Sequence, residues 1–366
     1  MMAGHLRGKG RARLLLSVAL ALLLAACGAR NPWYDPAKPH HRPDGFVNPD
    51  GPTGGKPLGT LLTWWRERAR DGLPKPPSEV VAGYDAFPLV RPDLDFLRAN
   101  RERTTLTWIG HATLLLQMEG LNILTDPHFS ERAFPVQWMG PKRRVPVPFS
   151  PSELPRIDVV LISHNHYDHL DRSTVRALAA QPGGSLLFLV PLGIEPWMKA
   201  EGIDSVRQLD WWDSMKLSGT AGLEAHFVPA QHWSSRWPWD RNRTLWGGWV
   251  IRSPRFSFWF AGDTGHSPVF EEIGRRFGGF DFAAIPVGAY EPRWFMKDQH
   301  VNPQEAVRIF ADVRAKRAVG IHWGVFELTD EPLDAPIAEL RRAVDAAGLP
   351  RERFDTWKHG EMRRLD

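Results

Sequence analysis

Residues 161–171 read LISHNHYDHLD and crowd His164, His166, Asp168 and His169 into six positions. Neutral imidazole nitrogen and carboxylate oxygen are good ligands for zinc. The run follows an apolar segment ending at Ser163, which reads as a buried strand. A tight loop after such a strand can aim alternate side chains at one point. Four ligands in so short a loop can hardly all serve one tetrahedral ion without strain. The spacing fits two ions side by side, each receiving half of the set. Two ions need further ligands, and these should also lie just beyond apolar strands. HFVPAQHW offers His232, FSFWFAGDTG offers Asp263 with Gly262 permitting a close turn, and AVGIHWG offers His322 beside a glycine. Each alone reads equally well as a capping Asp or a hydrogen-bonded His. Together with the cluster they form a set.

The elements that must position this set follow from the apolar pattern. From about Thr104, TLTWIGHATLLLQMEGLNILTDP reads as strands paired through Glu119-Gly120. IDVVLIS, GSLLFLVP, SVRQLDWW, GLEAHFVPA, LWGGWVIRS, RFSFWFAGD, DFAAIPVG and RAVGIHW read as further strands. RSTVRALAAQ, IEPWMKAEG, SPVFEEIGRRFG, NPQEAVRIFADVRA and APIAELRRAVDAAG read as helices, and LGTLLTWWRERARDGL as an earlier one. Strand blocks mixed with β–α alternation predict an α/β domain with large sheets. Open α/β sheets gather ligands at one end of their strands, so the candidates can converge.

The N-terminus reads differently. Arg7, Lys9, Arg11 and Arg13 precede the apolar run LLLSVALALLLAA, and Leu24-Ala25-Ala26-Cys27 resembles a bacterial lipobox. Residues 1–26 are then a lipoprotein signal peptide, and Cys27, the single cysteine, is the acylation site. Removing them takes four basic residues and leaves 42 basic against 42 acidic, which argues against a nucleic-acid partner. Residues 27–100 form a Pro/Gly-rich tether and extension carrying one helix, and residues 101–366 the catalytic domain. The expected location is the bacterial cell envelope, as a membrane-anchored lipoprotein facing the periplasm or exterior. The 17 tryptophans suit either a buried core or contact with lipid.

HNHYDH, followed in order by His232, Asp263 and His322, resembles the H-x-H-x-D-H signature of metallo-β-lactamase-fold hydrolases. That resemblance implies a four-layer αββα sandwich. It also implies that His164, His166 and His232 bind one zinc, that Asp168, His169 and His322 bind the other, and that Asp263 bridges them. Iron or manganese suits the same donors. The stretches HHRPDGFVNPD, WIGHATLLLQMEGLNILTDPHFSERA, QWMGPKR, PAQHWSSR, IPVGAYEPRWFMKDQHVNPQEA and HWGVFELTDEP are similar to the N-acylphosphatidylethanolamine-hydrolysing phospholipases D. A phospholipid substrate follows, cleaved to phosphatidic acid and a head-group alcohol. Two ions about 3.5–4 Å apart would activate water for in-line attack on the phosphodiester, with Asp168 and Asp263 as the catalytic carboxylates.

The same resemblance places His111 of GHAT and Asp126 of LTDP near the metals, and a carboxylate there can fix a ligand imidazole's tautomer. Asp126 reads equally as an ordinary Asp-Pro turn. Gln299 and His300 would contact the lipid phosphate, and Gln137 and Trp138 would line the substrate passage, while Arg293 reads as a structural salt-bridge partner. Trp138 and Ser235 stand where animal members carry Tyr and Lys, which bears on head-group preference. The rival readings are another hydrolase of this fold (lactonase, thioesterase, β-lactamase or nuclease) and a non-catalytic zinc-binding envelope lipoprotein. A homodimer remains open.

Overall fold

The strand segments are rich in Val, Ile, Leu, Phe and Trp and are bounded by Gly, Pro and Asp, the composition of strands covered on both faces. The structure is a computed structural model that describes residues 30–53, 56–75, 87, 89–184, 186–220 and 222–366. The apolar leader and Cys27 lie outside the described residues. A small hairpin, β1 (His41–Arg42) and β2 (Gly45–Phe46), precedes helices α1 (Leu58–Asp71) and α2 (Leu94–Ala99). Then follow β3 (Thr105–Gly110), β4 (Thr113–Met118), β5 (Leu121–Thr125), β6 (Val159–Leu161), α3 (Arg172–Ala179), β7 (Leu187–Pro191), α4 (Glu195–Ala200) and β8 (Val206–Leu209). The second half brings β9 (Ser214–Lys216), β10 (Glu224–Val228), β11 (Gly248–Arg252), β12 (Ser257–Phe260), α5 (Val269–Phe277), β13 (Phe280–Pro286), α6 (Arg293–Met296) and α7 (Pro303–Asp312). It closes with β14 (Ala315–Ile321), α8 (Ala335–Ala346), β15 (Phe354–Thr356) and β16 (Met362–Arg364).

Two seven-stranded sheets result, in the orders β16-β3-β4-β5-β6-β7-β8 and β15-β14-β13-β12-β11-β10-β9. The C-terminal β16 crosses back to the first sheet and pairs antiparallel with β3, Met362 opposite Thr107. Trp108, Leu114, Leu116, Trp249, Phe258 and Phe260 belong to the large apolar core that the sheets share. Each such buried side chain contributes roughly 1.5–3 kcal/mol. Ile109, Leu115, Leu124 and Val160 of the first sheet instead pack on Leu97, Val175, Leu178 and Met198 from α2, α3 and α4. Buried residues of α5, α7 and α8, among them Phe270, Ile309 and Leu340, cover the second sheet. This is the expected α/β four-layer αββα sandwich.

Strands β5, β6 and β7 run parallel to one another, as do β12, β13 and β14. β10 is antiparallel to β11, which is antiparallel to β12, so β10 points the same way as β12. The C-terminal ends of these strands therefore meet at one edge. Two contacts tie the sheets together there: the Trp249 indole donates to Ile162 O at 2.8 Å, and Gly247 N donates to Ser163 O at 3.0 Å. Gly262 has φ of +65°, and a Cβ on it would lie 2.8 Å from the Ser163 Cβ, so the approach requires glycine.

The stretch before α1 lies along the domain surface rather than leaving it. Asp210 accepts from Lys38, from His40 at 2.7 Å and from His41 at 3.0 Å. The Asn48 side-chain oxygen accepts from His232 N at 3.0 Å and from the Trp246 indole at 2.9 Å. Trp64 of α1 donates to Asp330 at 2.8 Å.

Candidate metal centre

Each candidate side chain sits where a strand of that edge ends. The parallel pairing of β6 continues through Ile162, which donates to Leu189 O, and the chain then turns at Ser163. His169 N and Leu170 N both donate to His166 O, so residues 166–170 form a tight turn. Asp171 caps α3 through Ser173 N. The turn aims His164 and His166 one way and Asp168 and His169 the other. Asp126 follows β5, His232 follows β10, Asp263 follows β12, and His322 follows β14. His111, Asp126 and His322 all take positive φ (54°, 33° and 65°) without being glycine. Backbone strain of this kind persists where the surroundings over-determine it, and it clusters at functional sites.

The result is two groups of ligand atoms with one carboxylate between them. His164 Nε2 lies 2.8 Å from His166 Nδ1, and His232 Nε2 lies 3.3 Å from the same atom. In the second group His169 Nε2 lies 3.2 Å from His322 Nε2 and 3.3 Å from Asp168 Oδ2. Asp263 Oδ2 stands 3.1 Å from both His169 Nε2 and His322 Nε2 and 3.9 Å from His232 Nε2. It thus faces both groups and leans toward the second. All of these side chains are buried or nearly so.

The hydrogen bonds behind the cluster set its tautomers. His169 Nδ1 donates to Asp126 Oδ2 at 2.7 Å. The Ser163 hydroxyl donates to the same oxygen at 2.5 Å, so it accepts from His164 Nδ1 at 2.9 Å. His232 Nδ1 donates to Gln299 O at 2.9 Å. Each Nε2 is thereby turned into the cluster. His111 Nε2 donates to Asp168 Oδ2 at 2.9 Å and orients that carboxylate. His111 and Asp126 therefore support the cluster from behind, and the carboxylate reading of Asp126 prevails over the plain turn.

Converging lone pairs are costly unless a cation lies between them. Among the buried side-chain atoms without a hydrogen-bond partner are Asp263 Oδ1, His166 Nε2, His322 Nδ1 and His300 Nδ1. Burial pushes His166 and His232 down to about 3 and His164 well below its ordinary value, so the first group is neutral and ready for a cation. In the second group burial opposes charge, but the carboxylates prevail. Asp263 and Asp168 hold His322 up at about 9 and His169 well above its usual range. Against burial, His169 and His322 hold Asp263 well below the carboxylate range, and His169 and His111 do the same for Asp168. Protons held there occupy the place a divalent cation would take. The donor set fits a metal.

Residues 121–323 match the family described as "Beta-lactamase superfamily domain". The N-acyl-phosphatidylethanolamine-hydrolyzing phospholipase D 1 of Caenorhabditis elegans is 42% identical over 248 residues, covering 66% of this chain and 69% of that protein. The chain belongs to the metallo-β-lactamase superfamily. Its members include metal-dependent hydrolases, and this protein is one of them. The mitochondrial N-acyl-phosphatidylethanolamine-hydrolyzing phospholipase D of Saccharomyces cerevisiae is 36% identical over 247 residues, covering 66% of this chain and 52% of that protein. A metallo hydrolase from the archaeon Ignicoccus hospitalis has a solved structure that covers 72% of this chain and 98% of its own at a TM-score of 0.55 and 20% identity, a likeness of fold.

The superfamily centre opens into a cavity of about 300 Å³. His166, Asp168, Asp263, Gln299 and His300 line it on the metal side; Leu61, Trp64, Phe295, Met296 and Leu328 form an apolar wall. Trp64 and Phe295 stack at 4.8 Å. His300 is held by Arg293, whose guanidinium donates to His300 O at 2.8 Å and to Tyr290 O at 3.2 Å and pairs with Glu305 at 2.6 Å. The expected salt bridge of Arg293 is present, and it also positions a cavity residue.

Gln137 and Trp138 are not brought to this cavity. Gln137 bonds back to Arg132 N and O and lines a separate cavity with Tyr167, Arg236 and Trp237. Trp138 is 76% exposed. Their loop is held by its own turn and by pairing with residues 141–143, so nothing draws it toward His300. Ser235 caps its own loop through Trp237 O and Asp240. Ser163, Trp233, Arg241, Lys56 and Trp64 also belong to the site or its walls and escaped sequence reasoning. Only Ser163 had a local signal, its place at the end of the strand beside His164.

Proposed function

We propose that this hydrolase is a dinuclear zinc phosphodiesterase of phospholipase D type. Its substrate is N-acylphosphatidylethanolamine or a related phospholipid, and its products are phosphatidic acid and an N-acylethanolamine or other head-group alcohol. The observation that carries the reading is the placement of Asp263 between two ligand groups at the end of a cavity with an apolar wall. The kinship with two phospholipases of that substrate supports it.

His164, His166 and His232 would hold one cation, Asp168, His169 and His322 the other, and Asp263 would bridge them. When bound, the pair supplies Lewis acidity and an activated water for in-line displacement at phosphorus. The chain's own residues do the rest. Asp168 faces the cavity and orients the attacking water. His300 is neutral near pH 7, because burial lowers it to about 3, and its unpartnered Nδ1 donates to a phosphate oxygen. Gln299 fixes His232 through its carbonyl and lines the same wall. An acyl chain lies along Trp64, Phe295 and Met296, where it excludes water from the reacting centre.

The protein meets its substrate at a bilayer. Exposed Leu62 and Trp65 share α1 with the wall residues Leu61 and Trp64, exposed Trp294 meets Phe295 edge-on at 5.6 Å, and Trp237 and Trp239 stack on the surface at 5.5 Å. Amphipathic indoles suit a headgroup interface. No helix among the described residues is long and apolar enough to cross a membrane. In this reading acylated Cys27 supplies the anchor, in a bacterial envelope. Retention of a processed Cys27→Ser variant on membranes speaks against that anchor.

The test is product analysis. Purified metal-loaded protein is given N-acylphosphatidylethanolamine in detergent micelles, and separately a chromogenic β-lactam, a lactone and a thioester. Phosphatidic acid and N-acylethanolamine in equal amounts support the reading. Turnover of one of the other substrates with no phosphatidic acid released rejects it in favour of another hydrolase of this fold.

A further inference from the structure

Among the basic side chains around the cavity, Arg241 stands apart. Lys56, which lines the same cavity, is neutralised by Asp298 at 2.6 Å, and Arg293, which holds the His300 backbone, is paired with Glu305. Arg241 makes no hydrogen bond and no ion pair among the described residues, and its Nε is buried without a partner. Its guanidinium carbon lies over Trp233, 4.1 Å from the ring centre. Trp233 in turn meets His166 edge-on at 4.2 Å. Arg241 lines the metal-side cavity together with Asp168, Asp263 and His300.

A half-buried guanidinium with no acceptor gives up hydration that an indole contact only partly offsets. Stacking on an indole holds the plane and leaves the N–H edges free, the arrangement suited to a planar, bidentate grip on phosphate. The neighbouring cations are already satisfied, so this one is reserved for a ligand.

We propose that Arg241 is a specificity-determining residue: it takes a phosphate oxygen of the substrate and selects an anionic phosphodiester over neutral esters and lactones. The assignment rests on the phospholipid reading for its substrate, whereas the anion site itself can be tested alone. In Arg241→Gln and Arg241→Met, isothermal titration of inorganic phosphate into metal-loaded protein should show affinity weakened roughly 10- to 100-fold, the range for a charge-assisted hydrogen bond. Metal content and melting temperature should stay at wild-type values, and Arg241→Lys should recover part of the affinity. With N-acylphosphatidylethanolamine the loss should appear in KM more than in kcat. Unchanged phosphate affinity in the Gln and Met variants overturns the proposal. So does loss of metal in both, because the arginine then serves only to brace Trp233 against His166. If wild-type protein binds phosphate through Arg241 yet releases no phosphatidic acid, the anion site stands and the phospholipid reading falls.

Discussion

Asp126 accepts a hydrogen bond from Nδ1 of His169 at 2.7 Å, so one carboxylate reaches an imidazole in each of the two ligand groups. The second link runs from the same oxygen through the Ser163 hydroxyl to His164. Burial raises the Asp126 carboxyl, while His169 and Ser163 pull it back toward the ionised form. Removing a partner of this kind typically costs 10- to 100-fold in metal affinity. Asp126→Ala should therefore weaken both sites, whereas Ser163→Ala should weaken only the one that contains His164. Metal titration with a chelator competitor separates the two. Equal, single-site loss in both variants would contradict the shared role.

Arg293 holds the backbone of His300 in place, so its removal should act on catalysis without touching the metals. Arg293→Ala should lower kcat/KM roughly 5- to 30-fold, equivalent to about 1–2 kcal/mol. Metal content should be normal. Arg293→Lys should rescue little, because an ammonium cannot reach two carbonyls and Glu305 with a planar fork. Full activity of the Ala variant in steady-state assays would rule out the positioning role.

The exposed indoles beside the apolar wall should be felt only at a lipid surface. Trp65→Ala with Trp294→Ala should reduce partition onto phospholipid vesicles on the order of tenfold, given the area two indoles bury. Hydrolysis of a short-chain substrate dispersed in detergent should be unchanged. Sedimentation with vesicles measures the first quantity, and a loss equal on both substrates would point to damage in the cavity instead.

The N-terminal strap is fastened to Asp210. Burial raises that carboxyl, but hydrogen bonds from His40 and Lys38 outweigh it and hold Asp210 well below the carboxylate range. A depressed folded pKa contributes stability that is fully present above the unfolded value near 4 and is lost progressively as pH falls below that value and down through the folded one. The wild-type protein should therefore lose more stability between about pH 5 and pH 3 than Asp210→Asn does. At neutral pH the Asn variant should be the less stable by about 3 kcal/mol, because it leaves His40, His41 and Lys38 without their charged partner. Denaturant melts at both pH values test this, and parallel pH profiles for the two proteins would exclude the clasp.

The parts of the site that could be read in advance were those written in consecutive residues. HNHYDH declared itself because four ligands crowd behind one apolar strand, and Asp263 and His322 because each follows a strand beside a glycine. The long strands and helices were legible from their apolar period. β9, β15 and β16 are only three residues each and carry too little pattern to be seen. Contacts between distant segments were illegible for a different reason. Nothing near Asn48 announces that it meets His232, and nothing in WPWDRNR separates Arg241 from an ordinary polar loop. Gln137 shows the converse: the family resemblance implies a place on the substrate passage, but its own hydrogen bonds hold it at another cavity.

Asp263 stands between the two groups of ligands, so metal stoichiometry is the most direct probe of how this centre works. Elemental analysis of purified protein, run beside phosphatidic acid release, should give two zinc ions per chain. Asp263→Asn should show fewer than two and a matching fall in rate. A single ion per chain with full turnover, or full loading and normal turnover in Asp263→Asn, would contradict a paired centre.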